Sequence, residues 1–151
     1  MARKKKRTAK SKSKKSFFKL SKQQKVIFGS FLLLLGIALI FSFVSYFFTW
    51  KADHSTIGDI LNRDLESKNL LRTFGANVGH FFIYNGFGIA AFIIAFLITL
   101  TGIYYFFDYQ KKALFKFWFW GILVMIWLSV FLGFFSDTNS LFSGIIGFES
   151  N

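Results

Sequence analysis

With 151 residues, 54% of them hydrophobic and 24 of them Phe, the chain is too apolar to be an ordinary soluble globular domain. Its formal net charge of +12 sits almost wholly ahead of residue 26, which leaves the remainder close to neutral and argues against a folded nucleic-acid-binding domain. Cysteine is absent, so disulfides, thiolate metal sites and thiol catalysis are excluded.

Residues 1–25 form a Lys, Arg and Ser tail with few apolar residues before Phe17, a composition that predicts disorder. Next to a membrane such a tail is drawn to anionic lipid, at about 1 kcal/mol per basic residue near the surface. Weak contact with DNA phosphates is a second use for the same charge. Phe17, Phe18 and Leu20, set among Lys19, Lys22 and Lys25, read as an interfacial lead-in.

Residues 26–48 contain no Asp, Glu, Lys, Arg or His. A hydrocarbon core about 30 Å thick needs roughly 20 apolar residues at 1.5 Å each, so this run predicts a first transmembrane span. It exceeds the roughly 7 to 15 apolar residues of a signal peptide and no A-x-A site follows, so it predicts an uncleaved anchor. Tyr46 and Trp50 suit the outer interface.

The loop 49–80 carries a helical period in a polar setting. Ile57, Ile60, Leu61, Leu65, Leu71 and Phe74 recur near every 3.6 residues, and Asp59, Arg63, Asp64, Glu66 and Lys68 take the other face. Thr56 with Asp59 makes a variant capping box and Gly75 suits the far end, which predicts an amphipathic helix over 57–74. Its apolar stripe suits the membrane surface first and a protein partner second.

Residues 81–107 predict a second span, long enough to tilt. Gly86 and Gly88 beside Asn85 soften its start. Gly86 with Ala90 and Ala91 with Ala95 have the small-xxx-small spacing that lets helix backbones approach, as do Ala38 with Ser42 and Ser129 with Gly133. A short loop, 108–116, leads to a third span over 117–135, with Trp118 and Trp120 near its start and Trp127 deeper. Residues 136–151 follow on the far side. Without proline, all three spans are expected to be plain helices.

The fold class is therefore all-α, a polytopic transmembrane helical protein with three spans and an outer amphipathic helix. Twelve Lys and Arg precede residue 26, four lie in 50–80, three in 108–116 and none after 135. The positive-inside rule then puts the amino terminus and the 108–116 loop on the cytoplasmic side and the carboxyl terminus outside. An odd number of spans requires the same arrangement.

Asp, Glu, Lys, Arg and His are missing from the spans, which argues against an ion-coupled transporter or pump. His54 and His80 do not make a zinc site without further ligands. Asp59, Asp64 and Glu66 fall on the polar face of the outer helix. No G-x-x-x-x-G-K-[ST] is present. No catalytic, cofactor or metal residue is expected, and the chain is not expected to be an enzyme.

The order of these features resembles the amino-terminal membrane region of the FtsK/SpoIIIE DNA translocases of bacterial division. The resemblance rests on the basic head, on Gly79-His80-Phe81-Phe82-Ile83-Tyr84-Asn85-Gly86-Phe87-Gly88-Ile89-Ala90-Ala91-Phe92, and on Ser143-Gly144-Ile145-Ile146-Gly147-Phe148. It implies a septal anchor in the bacterial inner membrane that forms homo-oligomers, contacts division proteins, and holds a motor that uses ATP and Mg and pulls DNA. Gly79, Gly86, Gly88, Ala91 and Ala95 are the packing residues implied, with Ile57, Ile60, Leu61, Leu65, Leu71 and Phe74 as the partner surface. A motor acting on cytoplasmic DNA cannot follow a terminus lying outside, so a fourth span and the motor are expected beyond Asn151. The alternatives are a holin-like pore-forming protein and a small accessory membrane subunit. A holin-like basic tail would be expected at the carboxyl end, where this chain carries Asp137 and Glu149 and no base.

Overall fold

In the computed structural model the described residues are 20–53, 67–110, 112–135 and 140–149, and all regular structure among them is helical. The first helix, α1 (Lys22–Asp53), begins at a capping box. The Ser21 N–H donates to Gln24 Oε1 at 2.9 Å and the Gln24 N–H donates to Ser21 Oγ at 3.2 Å, satisfying two of the free donors of the first turn. The helix thus starts four residues ahead of the charge-free run and extends five beyond it. At about 48 Å it exceeds the hydrocarbon core, so Lys22 and Lys25 at one end and Lys51 at the other reach the headgroups.

Helix α3 (Phe92–Phe106) runs antiparallel to α1. Gly29 lies against Gly102 and Phe106, Gly36 against Thr99, and the Phe43 ring 5.6 Å from that of Phe92. A Cβ on Gly102 would stand 2.6 Å from the Leu33 backbone nitrogen, so glycine is what lets the two backbones meet.

The short helix α2 (Arg72–Gly79) crosses α1 in the opposite sense from α3. Ser42 meets Gly75 and, one turn further along both helices, Tyr46 meets Gly79. Between α2 and α3 the chain must therefore reverse. It does so through a π-helical stretch, His80–Phe87, and a 3-10 turn, Gly88–Ala91, with non-helical dihedrals at Gly86 (φ −98°, ψ −118°) and a left-handed φ of 62° at Gly88. The plain helix expected over 81–107 is thus replaced by a hairpin bent at glycine rather than proline. Although 72–106 is apolar and helical enough to count as one 35-residue span, the reversal leaves 88–106 as the crossing segment. Four residues at about 2.0 Å and fifteen at about 1.5 Å give roughly 30 Å, the thickness of a bilayer core.

The start of α2 also departs from the expected outer helix. Its residues 57–66, with Ile57, Ile60, Leu61 and Leu65, lie outside the described residues. Residues 67–71 are not helical: Arg72 has a left-handed φ of 52° and its N–H donates to the Asn69 carbonyl at 2.7 Å. Leu71 is the residue before α2, and Gly75 sits inside that helix instead of ending the one expected before it.

At its other end α3 closes in a Schellman motif. The Tyr109 N–H donates to the Tyr104 carbonyl at 2.9 Å, the Asp108 N–H to that of Tyr105 at 3.4 Å, and the Tyr104 and Tyr109 rings meet at 5.7 Å. Asp108 takes the left-handed position usual for glycine, with φ 55°, and its carboxylate accepts from Lys25 Nζ at 2.6 Å. This contact brings the start of α1 to the 108–116 loop, as the charge alternation requires. Helix α4 (Lys112–Gly133) then packs antiparallel to α3, with Trp118 Nε1 donating to Thr101 Oγ1 at 2.9 Å and Gly121 against Leu97. Helix α5 (Ser140–Glu149) folds back against α4, the π-helical stretch and the 3-10 turn. Among the described residues three helical stretches are long and apolar enough to cross a membrane, and most of the α4 surface faces outward, as for a helix in lipid. The chain is an all-α polytopic membrane protein.

Candidate functional site

The end of the bundle opposite the Lys25 to Asp108 contact holds two adjoining constellations. The first is a polar dock between α1 and the chain that leads into α2. Asn69, only 3% exposed, donates through Nδ2 to the Ser42 carbonyl at 3.1 Å, while its Oδ1 accepts from the Leu71 N–H at 3.0 Å. The Leu70 N–H donates to Ser45 Oγ at 2.9 Å, and Ser42 Oγ donates to the Gly75 carbonyl at 2.8 Å. Ser42 lies six residues before the end of the charge-free run, about 9 Å inside it. Irregular backbone at that depth persists only where protein supplies its hydrogen bonds, and these three side chains supply them.

One turn further along α1, Tyr46 is fully buried instead of resting at the outer interface. Its hydroxyl and His80 Nδ1 share a hydrogen bond at 3.0 Å, and the His80 ring stacks on Tyr84 with centroids 4.9 Å apart. Gly79 permits this approach, since a Cβ there would stand 2.7 Å from Tyr46 Cβ. The dock therefore continues into the π-helical stretch.

The second constellation is a crossing of two broken helices. Gly88 faces the Phe142 carbonyl, and Gly144, with φ 70° and ψ 170° inside α5, faces the Gly86 carbonyl and the Gly88 nitrogen. A side chain at either position would collide with backbone and would also have to adopt a left-handed φ, which costs an L-residue about 1 kcal/mol or more. Beside the crossing, Ser129 Oγ of α4 donates to the Ser143 carbonyl at 2.6 Å, and both serines are fully buried. Leu141 joins Ile83, Ala91, Ala95, Phe43 and Leu39 in one apolar cluster beneath.

Gly79, Gly86, Gly88, Ala91 and Ala95 thus fall along one hairpin, all of them buried: Gly79 on α1, Gly86 and Gly88 at the reversal, and the two alanines in the apolar cluster. Of the expected partner surface only Leu71 and Phe74 are among the described residues. Leu71 is half-buried at the dock and Phe74 is 59% exposed. Sequence reasoning did not reach Asn69, Ser45 or the Tyr46 to His80 bond. Two signals pointed to them: isolated serines in a run otherwise free of strong polar groups, and the Ser67-Lys68-Asn69 turn signal ahead of an apolar segment.

What the arrangement shows is how side chains position the helices. Among the described residues no three His, Cys, Asp or Glu side chains stand where they could hold a metal ion. The buried polar groups named above bond one another or backbone. Against protein-family models, residues 21–150 match the 4TM region of DNA translocase FtsK/SpoIIIE. No curated protein and no solved structure matches the chain.

Proposed function

The chain belongs to the family of the FtsK/SpoIIIE 4TM region, and from that membership we propose that it anchors a DNA translocase at the division septum during chromosome segregation. The observation that carries this reading is a family match spanning 21–150, supported by basic flanks that favour an amino terminus inside. In this reading the chain supplies no chemistry. ATP and Mg serve a motor elsewhere, and DNA is engaged chiefly by that motor, with the basic tail touching anionic lipid and, weakly, DNA phosphates. Anchoring raises the motor's effective concentration at one place on the envelope. Self-association, together with contacts to division proteins on the outer face, would keep it there.

The test is to fuse a fluorescent protein to the amino terminus and image dividing cells. A band at the constriction is expected, and uniform fluorescence around the envelope would remove the septal role. Reading the locus past the Asn151 codon tests the motor. A fourth apolar run and a Gly-Lys-Ser or Gly-Lys-Thr motif are expected, and a stop codon would leave an accessory membrane protein.

A further inference from the structure

We propose that the crossing of Gly86 and Gly88 with Gly144 is a mechanical coupling, through which α5 and the α2 dock are held or released together. The premises are steric. α5 has no substantial packing on α2, yet it seats against the π-helical stretch and the 3-10 turn that continue from α2. At the crossing the two segments meet backbone to backbone, with no room for a Cβ on either side: Gly88 faces the Phe142 carbonyl while Gly144 faces the Gly86 carbonyl. Backbone at this separation has no side chain that could change rotamer to absorb a displacement. If α5 lifts, the reversal at Gly86 and Gly88 loses its opposing surface, and Ile83 and Ala91 lose Leu141.

The π-helical stretch carries that loss onward. It is one short element, His80–Phe87, with the crossing at its end and His80 at its start, bonded to the Tyr46 hydroxyl. Gly79 and Gly75, the next contacts back along the chain, lie on α1 at Tyr46 and Ser42. The dock at Asn69 and helix α5 are therefore joined through one continuous set of contacts. Displacing either the dock or α5 would be felt at the other, with the same coupling free energy in both directions.

The absence of cysteine makes the test direct, because single reporters can be introduced into the full chain in native membranes. Ala76, Ser143 and Ala95 are each fully buried, at the dock, at the crossing and in the α1 to α3 seam. In the parent chain A76C, S143C and A95C are expected to resist a water-soluble maleimide. Gly144→Ala should raise the labelling rate of A76C by roughly 5- to 100-fold, the usual span of coupling between sites, while A95C stays protected. In the reverse direction Asn69→Ala should raise that of S143C. Leu141→Ala, which trims a side chain without straining the backbone, is run in parallel and should raise A76C in the same way. A76C staying protected while S143C opens, in either α5 variant, overturns the coupling. So does exposure of A76C only when A95C opens with it, since that is unfolding of the bundle.

Discussion

Replacing Asn69 by Ala tests whether the polar dock, rather than apolar packing, holds α2 at membrane depth. The substitution removes the bond from Nδ2 to the Ser42 carbonyl and the one that Oδ1 accepts from the Leu71 N–H. The Ser42 carbonyl keeps its place in the helix ladder, so losing the first bond costs about 0.6 kcal/mol, the average for such bonds between membrane helices. The Leu71 N–H is left without that acceptor in a half-buried turn, which costs about 1 to 3 kcal/mol. The sum is about 1.6 to 3.6 kcal/mol, or roughly a 15- to 440-fold rise in the population with the dock open. Amide hydrogen exchange of the purified chain in bilayers reads this directly, since Leu70, Leu71 and Gly75 should exchange faster by that factor while Leu33 and Thr99 in the α1 to α3 seam do not change. Acceleration below about 3-fold at Leu70 and Leu71 would mean that apolar contacts hold α2 and that the hydrogen bonds only decorate it.

The remaining predictions concern the seam, the inner turn and the topology. Gly102→Ala forces a Cβ to within 2.6 Å of the Leu33 nitrogen, so α1 and α3 must separate, and a loss of about 2 to 3 kcal/mol is expected in reversible denaturation in mixed micelles. At Asp108, Gly relieves a left-handed φ worth about 1 kcal/mol but gives up a part-exposed ion pair of similar or smaller worth, so Asp108→Gly should be near neutral. Asp108→Ala keeps the strain and loses the pair, and the same denaturation should show it the weaker variant by about 1 kcal/mol. Single cysteines at Ser67 and Asn85 should both react with an impermeant reagent from outside intact cells, and one at Gln110 only after permeabilisation. Protection of N85C would restore an unbroken crossing over 72–106.

The spans were legible in the sequence because their signal is one-dimensional: charge-free runs of adequate length suffice to count them. The ends of α1 were less so. Its first turn is set by the Ser21 to Gln24 capping box, in a stretch whose lysines had marked it as tail. The hairpin was not legible at all, and the reason is physical. An apolar helix and an apolar hairpin bent at glycine have the same hydropathy, and what separates them is whether 75 and 79 meet α1 in the same sense as 99 and 106. That is a long-range fact. Gly86 and Gly88 marked the place of the break, yet glycines in a span serve equally as close-packing positions, as Gly29, Gly36 and Gly102 do here.

The two uses of glycine divide the molecule. In the inner half, Gly29, Gly36 and Gly102 bring two continuous helices together, and Lys25 with Asp108 closes the end. Such a seam gains contact area with every turn and has no alternative register that keeps all three glycines opposed. In the outer half, Gly88 and Gly144 have positive φ, and the helices there are interrupted, short and held by serine, asparagine, tyrosine and histidine side chains. Short elements bonded at discrete points can exchange one arrangement for another at modest cost, whereas a long seam must separate along its whole length. A membrane anchor of this build would therefore keep its inner end fixed, where the basic flanks lie, and move, if it moves, at its outer face.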